Sequence, residues 1–179
     1  FGAKDYRLMR RYIANSIWIS AFVSVVLTVG ICAFTGRILH LMGTQDDIYD
    51  YAYTYIFIVF AGIPATILYN LSSSIIRSLG DSKTPVYFLL LSSGLNIVLD
   101  LVSILALGMG VEGPALATVI SQLISGILCT IYMYKHFEIV RCSKEEMTVN
   151  VSCIKRLILM GFPMGLQYSI TAIGSVILQ

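Results

Sequence analysis

The sequence predicts an all-α, polytopic transmembrane helix bundle with about five membrane-spanning helices. Of its 179 residues, 57% are hydrophobic and only 12% are charged, whereas an average soluble domain carries about 25% charged residues. The apolar residues are gathered into five long runs, and each run is close to the roughly 20 residues that cross a hydrocarbon core. A soluble fold of this length could not bury so much apolar surface.

The five predicted spans follow one another with short polar connectors. Connectors of a few residues make neighbouring helices antiparallel, so successive connectors lie on opposite sides of the membrane. The spans are expected at residues 13–34, 52–76, 86–108, 113–134 and 157–178.

Two prolines lie inside these spans and predict bends. Pro64 is near the middle of the second span, where it removes a backbone hydrogen bond and kinks a helix. Pro163 comes shortly after Gly161, early in the fifth span. Both are candidate hinge or kink positions.

The basic residues predict the orientation. All but one of the 12 Lys and Arg residues lie in alternate connectors, and positive residues are retained on the cytoplasmic side. We therefore expect the chain start, the Arg77 loop and the loop 135–156 to face the cytoplasm from a plasma (inner) membrane. The exception, Arg37, lies among the acidic residues of the other side. The lipid bilayer is the expected partner, and a net charge of +2 gives no reason to expect nucleic acid.

Polar residues form one face on each of several spans. In the third span Ser93, Asn96, Asp100 and Ser103 recur at helical spacing. The fourth span repeats the pattern with Thr118, Ser121, Gln122, Ser125 and Cys129. Such faces either allow close helix packing or line a polar path, and the spacing alone leaves both explanations open.

Asp100 is the one ionisable residue deep within the five runs. A carboxylate at such a depth costs about 2.5 to 3.5 kcal/mol, so these residues usually mark an ion or proton path. Asn96 lies one turn away on the same face, and Thr118 can reach the same depth on the neighbouring antiparallel helix. Oxygen ligands of this kind suit Na⁺, and a carboxyl group can also carry a proton, so Na⁺ and H⁺ both remain candidates. No other cofactor is expected.

No catalytic constellation is present in the sequence. His40 and His136 lie at opposite membrane faces, and no nucleophile has a base nearby in sequence. We therefore do not expect an enzyme.

Several short strings together resemble one transporter family. NLSSSIIRSLGDSKTP, NIVLD and GVEGPALATVISQ, in the region 70–134, and FGAKDYRLMRRY and GFPMGLQ nearer the two ends, are similar to the multidrug and toxic compound extrusion (MATE) family of cation-coupled exporters. The resemblance implies a twelve-helix, two-lobe fold of which this chain is a piece covering the third to seventh helices. Residues 1–136 would then belong to the N-terminal lobe with four helices, 137–156 to a cytoplasmic inter-lobe linker, and 157–179 to a truncated first helix of the C-terminal lobe.

The resemblance also implies a cation site in the N-terminal lobe. Asn96, Asp100 and Thr118 match three of its members, and Asn70 matches a further asparagine on the preceding helix. The family site also includes an aspartate on the first helix of the family fold, and that helix lies outside this chain. Gln167 stands in the region where some branches carry an acidic residue, so a second site in the other lobe is not expected.

The expected function is therefore a cation-coupled antiporter, driven by H⁺ or Na⁺, that exports cationic or amphipathic drugs. The remaining helices of the full-length protein are expected partners of this chain. A flippase for lipid-linked sugars is the alternative among transporters, but it needs a basic cavity and no span carries Lys or Arg at depth. A membrane enzyme or a non-transporting scaffold are alternatives from other classes, and a scaffold would not need Asp100.

Overall fold

The computed structural model describes residues 6–143 and 146–177, without the side chains of 176 and 177. Lys4, Lys144 and the last residue of the fifth predicted span, residue 178, lie outside the described residues. The helices are α1 (Tyr6–Leu41), α2 (Asp46–Ala61), α3 (Ile63–Ser78), α4 (Lys83–Leu101), α5 (Glu112–His136) and α6 (Val151–Ile177). A π-helical turn, Val102–Ala106, continues α4, and a 3₁₀ turn, Glu138–Val140, follows α5.

Five helical segments of the described ranges are long and apolar enough to cross a membrane: Tyr6–Leu41, Asp46–Ser78, Lys83–Ala106, Glu112–His136 and Val151–Ser175. No strand occurs in the same ranges. The prediction of an all-α, polytopic bundle with about five spans is confirmed.

Several helix ends differ from the predicted spans, because hydropathy records apolar length and not helix caps. Helix α1, for example, extends beyond the predicted span 13–34 at both ends. The fifth span was expected from Leu157, but α6 begins at Val151 inside the segment predicted as linker. The side-chain oxygen of Asn150 accepts hydrogen bonds from the backbone N–H groups of Ser152 (3.0 Å) and Cys153 (3.2 Å), which satisfies donors that a helix start leaves unpaired. The regular helix of the third span ends at Leu101, before the expected residue 108, and gives way to the π turn.

The second span is divided into two helices instead of being bent within one. The N–H of Gly62 donates to the carbonyl oxygens of Ile58 and Val59, both at 3.1 Å, and α3 begins at the next residue. Pro64 thus lies in the first turn of α3, where a missing N–H costs little. Pro163 lies inside α6, which continues through it. The hinge roles of both prolines stay predictions.

The chain forms two compact units, one of residues 20–140 and one combining residues 1–19 with 141–179. In the first unit α5 contacts α2, α3 and α4. Its buried residues repeat at every fourth position, Gly113, Ala117, Ser121, Ser125, Cys129 and Met133, and Ala115 and Gly126 are buried beside them. Most of these side chains are small, which lets helix backbones approach closely in a membrane.

One close approach between helix backbones in this unit is that of α5 to α3. A Cβ atom on Gly126 would lie 3.2 Å from the backbone nitrogen of Tyr69 and 3.4 Å from the carbonyl oxygen of Ala65. One turn further along α5, the hydroxyl groups of Thr130 and Ser72 lie 2.7 Å apart. The two helices are therefore joined by direct backbone contact and by an interhelical hydrogen bond.

In the other unit the segment before α6 is bound to the first half of α1. Asn15 is fully buried, and its side-chain oxygen accepts a hydrogen bond of 2.8 Å from the N–H of Asn150. Trp18 donates to the carbonyl oxygen of Met147 at 2.9 Å. Arg10 forms an ion pair of 3.1 Å with Glu146. Much of the predicted linker is therefore ordered.

The turn between α3 and α4 is organised by Asp81. One carboxylate oxygen accepts from the N–H groups of Lys83 (3.2 Å) and Thr84 (3.0 Å), and the other accepts from the hydroxyl of Tyr132 at 3.1 Å. The Thr84 hydroxyl first, and then its N–H, hold the pKa of Asp81 below its ordinary value. Asp81 thus caps α4 and fastens it to α5.

We expect larger side chains at position 126 to separate α3 from α5. Alanine and leucine are better helix formers than glycine by roughly 1 kcal/mol, so any loss of stability must come from the helix contact. Gly126→Leu should lower the free energy of unfolding by about 1 to 3 kcal/mol, with Gly126→Ala between it and the wild type. Thermal unfolding of the full-length protein in detergent measures the series, and a Leu variant as stable as wild type would contradict the contact.

We expect Asp81→Asn to lower the melting temperature at neutral pH, because the ionised carboxylate is the better acceptor for all three donors. A lowered pKa means that this stabilisation is present above the ordinary value of 3.8 and is lost as the pH falls through the folded-state pKa. The difference from wild type should therefore disappear below that value. Tyr132→Phe, which removes one donor and keeps the charge, is the control and should retain the pH dependence. A difference in melting temperature between Asp81→Asn and wild type that did not change with pH would contradict the role of the Asp81 charge.

Candidate functional site

Helices α3, α4 and α5 enclose a cavity of about 280 Å³. It is lined by Thr66, Tyr69, Asn70, Leu89, Ser92, Ser93, Asn96, Thr118, Ser121 and Gln122. All of these except the leucine carry a hydrogen-bonding side chain, and none is ionised at neutral pH. The cavity is therefore polar but has no fixed charge in its lining.

The polar faces predicted from the sequence meet in this cavity. Residues three or four apart on a helix share a face, so Thr66 and Asn70 project from α3 together. Thr118 and Gln122 do the same from α5. The hydroxyl of Thr66 donates a hydrogen bond to the side-chain oxygen of Gln122, which joins α3 to α5 at the wall of the cavity.

Asn96 and Thr118, two of the residues singled out from the sequence, are in direct contact. The side-chain amide of Asn96 donates to the hydroxyl oxygen of Thr118 at 3.3 Å. The same hydroxyl donates its proton to the carbonyl oxygen of Pro114 at 2.9 Å. The Thr118 oxygen therefore acts only as an acceptor toward the Asn96 amide. This arrangement leaves the side-chain oxygen of Asn96 available as an acceptor or a cation ligand.

Asp100 does not line the cavity. It lies one turn beyond Asn96 on α4, roughly 6 Å along the helix axis at 1.5 Å per residue. One of its carboxylate oxygens is buried and has no hydrogen-bond partner within the described part of the chain. Ser103 donates to the backbone oxygen of Asp100 at 2.9 Å and not to its carboxylate.

An orphaned buried oxygen of this kind fits a proton or a small cation. Buried polar atoms almost always have a partner, and a carboxylate oxygen suits either H⁺ or Na⁺. Among the residues that the structure describes, no group of three or more His, Cys, Asp and Glu side chains is placed to hold a metal ion. A Na⁺ ion would therefore depend on Asp100 together with neutral oxygens such as that of Asn96.

The π-helical turn after Asp100 was not predicted. The N–H of Leu107 donates to the carbonyl oxygen of Val102 at 3.1 Å, which is the wider hydrogen-bond spacing of a π-helix. Such turns are rare and frequently lie at functional sites. Hydropathy gives no signal for them, because they change backbone spacing and not the apolar pattern.

Three lining residues were also missed, the polar Tyr69 and Ser92 and the apolar Leu89. The hydroxyl of Tyr69 donates to the carbonyl oxygen of Pro85 at 2.8 Å. Its signal in the sequence is its position three residues after Thr66, on the polar face of α3. Asn70, Asn96 and Thr118 therefore share one cavity, Asp100 lies next to it, and Pro64 and Pro163 lie outside its lining.

Comparison with known proteins gives consistent matches. The sequence model of the MatE family matches residues 1–102. Probable multidrug resistance protein YoeA of Bacillus subtilis (strain 168) is 34% identical over 141 residues, which is 75% of this chain and 30% of YoeA. The chain spans about a third of the length of the curated relatives it matches.

Solved structures match with the same fold. One is the inward-facing conformation of a multidrug resistance MATE family transporter of the MOP superfamily, with a TM-score of 0.84 and 25% identity over 90% of this chain and 37% of that chain. The outward-facing conformation of such a transporter also gives a TM-score of 0.84, with 26% identity over 92% of this chain and 37% of that chain.

We expect the Asn96 and Thr118 side chains to be energetically coupled. Thr118→Val leaves the Asn96 amide without its acceptor, whereas Asn96→Leu combined with Thr118→Val removes both partners, which costs less than the sum of the single changes. A double-mutant cycle on the unfolding of the full-length protein in detergent should give a coupling of about 1 kcal/mol. Strictly additive single effects would show that the two side chains do not interact.

Proposed function

Because this chain belongs to the MatE family, we propose that it forms part of a cation-coupled antiporter that exports drugs or other xenobiotics across the plasma membrane. The observation that carries the proposal is the buried carboxylate oxygen of Asp100, which has no hydrogen-bond partner among the residues that the structure describes and lies one helical turn from a polar cavity. That oxygen gives a place for the coupling ion, and the cavity gives a place for substrate.

The lining of the cavity favours cationic or amphipathic substrates. It contains no Lys or Arg, so it offers no counter-charge to a phosphorylated sugar lipid. Its neutral amides and hydroxyls can accept hydrogen bonds from a cationic group, and YoeA, which is similar in sequence, is named a probable multidrug resistance protein. We therefore favour drug export over the flippase alternative.

In the proposed mechanism Asp100 and the substrate need not touch. Binding of H⁺ or Na⁺ neutralises the carboxylate, and a ligand that binds one conformation more tightly shifts the population toward it. The Asn96–Thr118 hydrogen bond links the same face of α4 to α5, so a shift of α4 at Asp100 changes the cavity wall. The equal TM-scores with inward-facing and outward-facing structures fit a segment that keeps its fold in both states.

The lobe assignment and the membrane orientation belong to the same proposal. Residues 1–136 lie in the N-terminal lobe of a twelve-helix protein, followed by the inter-lobe linker and the first helix of the second lobe. The chain start, the Arg77 loop and the loop 135–156 face the cytoplasm, because these segments hold all the basic residues except Arg37.

The test is drug efflux from vesicles that hold the full-length protein, with H⁺ and Na⁺ gradients imposed separately. We expect wild type to respond to one gradient and Asp100→Asn to fall to background, because an amide neither binds a proton near neutral pH nor carries the charge that holds Na⁺. Glu112→Gln is the matched control, an acid-to-amide change in the exposed first turn of α5, and it should retain efflux.

Three other outcomes would contradict the proposal. Undiminished efflux by Asp100→Asn would remove the coupling role of the carboxylate. Transfer of a lipid-linked sugar and no drug by the wild type would favour the flippase. No transport by the wild type under either gradient would favour a scaffold.

A further inference from the structure

A second polar pocket, of about 310 Å³, lies where the start of α1 meets the start of α6. Both helix starts belong to the same compact unit. Arg11 and Tyr12 line it from α1, and Ser152 and Arg156 from α6. The pocket is separate from the cavity between α3, α4 and α5, and the proposed transport mechanism does not use it.

The pocket brings together two guanidinium groups, those of Arg11 and Arg156. Arg156 donates to the hydroxyl of Tyr12 at 3.4 Å, which holds its guanidinium over the pocket. The nearby acid, Glu146, is engaged by Arg10 at 3.1 Å. No carboxylate among the described residues pairs with Arg11 or Arg156. The two guanidinium groups, together with the hydroxyls of Tyr12 and Ser152, form a set of donors suited to phosphate oxygens.

The helix surfaces that follow the pocket toward the predicted spans are apolar and exposed. Trp18 on α1 is 47% exposed, and Ile158 and Leu159 on α6 are 54% and 71% exposed. Both α1 and α6 are long and apolar enough to cross a membrane, and the pocket lies near the beginning of each. A ligand that fits both features has a phosphate for the guanidinium groups and hydrocarbon chains for the exposed helix surfaces.

We propose that this pocket binds the phosphate of an anionic phospholipid at the membrane edge. The shared chemistry, a phosphate ester, also occurs in soluble molecules, but only a lipid uses the apolar surface of the two helices as well. Basic pockets between transmembrane helices are known to bind anionic head groups. The inference does not depend on drug transport or on the coupling ion.

The experiment titrates the full-length protein in nonionic detergent with short-chain phosphatidylglycerol and counts bound lipids by native mass spectrometry. Nonionic micelles carry no surface potential, so binding at the pocket is measured without the electrostatic attraction of the protein to a charged micelle surface. We expect one lipid to bind more tightly than the others, and Arg11→Gln with Arg156→Gln to weaken that binding by about tenfold or more. Phosphatidylcholine of equal chain length should bind more weakly.

The matched control is Arg7→Gln with Lys155→Gln, which removes the same charge from the same two helices but outside the pocket. It should change the affinity by about twofold or less. Equal weakening in both double variants would show general electrostatic attraction and overturn the site. Binding of inorganic phosphate or glycerol phosphate as tight as that of the lipid would overturn the lipid assignment.

A second variant keeps the test valid if the arginine pair is needed for folding. Ser152→Glu retains both arginines and places a carboxylate in the pocket, and an acid near a helix N-terminus favours the helix. Without lipid, this variant should have the thermal stability of the wild type. It should no longer bind the one lipid that the wild type binds more tightly than the others. Tight binding by a folded Ser152→Glu protein would overturn the proposal.

Discussion

The described helices of residues 20–140 depend on the close approach that the small side chains of α5 permit. In a bilayer, apolar side chains gain little from leaving lipid for a neighbouring helix, so association relies on contact and on interhelical hydrogen bonds. The contact of Gly126 with the backbone of α3 and the paired hydroxyls of Ser72 and Thr130 supply both. Because α5 also contacts α4, its face of small buried residues positions both of the other helices that line the cavity.

The polar residues of α5 serve both helix packing and the lining of the cavity. The sequence left open whether the hydroxyl residues of the fourth span pack helices or line a polar path, and the structure divides them by position. Ser125 and Cys129 are buried against neighbouring helices, whereas Thr118 and Gln122 line the cavity. Ser121 does both, because it is buried and also lines the cavity, so the packing face and the cavity-lining face of α5 overlap at that residue.

The helices were predictable from the sequence because membrane insertion depends on local apolar length, which a single chain reveals. Spacing placed Asn96 and Asp100 on one face of α4, and depth set Thr118 level with Asp100, whereas in the structure Thr118 contacts Asn96. The π turn and the Asn150 cap were missed, because they depend on backbone hydrogen bonds that hydropathy does not record. That Asp100 lies beside the cavity and not in its lining could not be predicted, since the rotation of a helix is decided by packing against its neighbours.

The separation of charge along the chain gives Asp100 its physical importance. The cavity lining is uncharged, and the basic residues gather outside the spans, where Arg10 finds its partner in Glu146. A single carboxylate at depth therefore has no nearby fixed charge in the cavity to compensate a change in its own. Because electrostatic interactions are strong where the dielectric constant is low, the proposed binding of one proton or Na⁺ ion at Asp100 would change the energy of α4 strongly. A coupling ion needs that sensitivity, and a uniformly charged interior would weaken it.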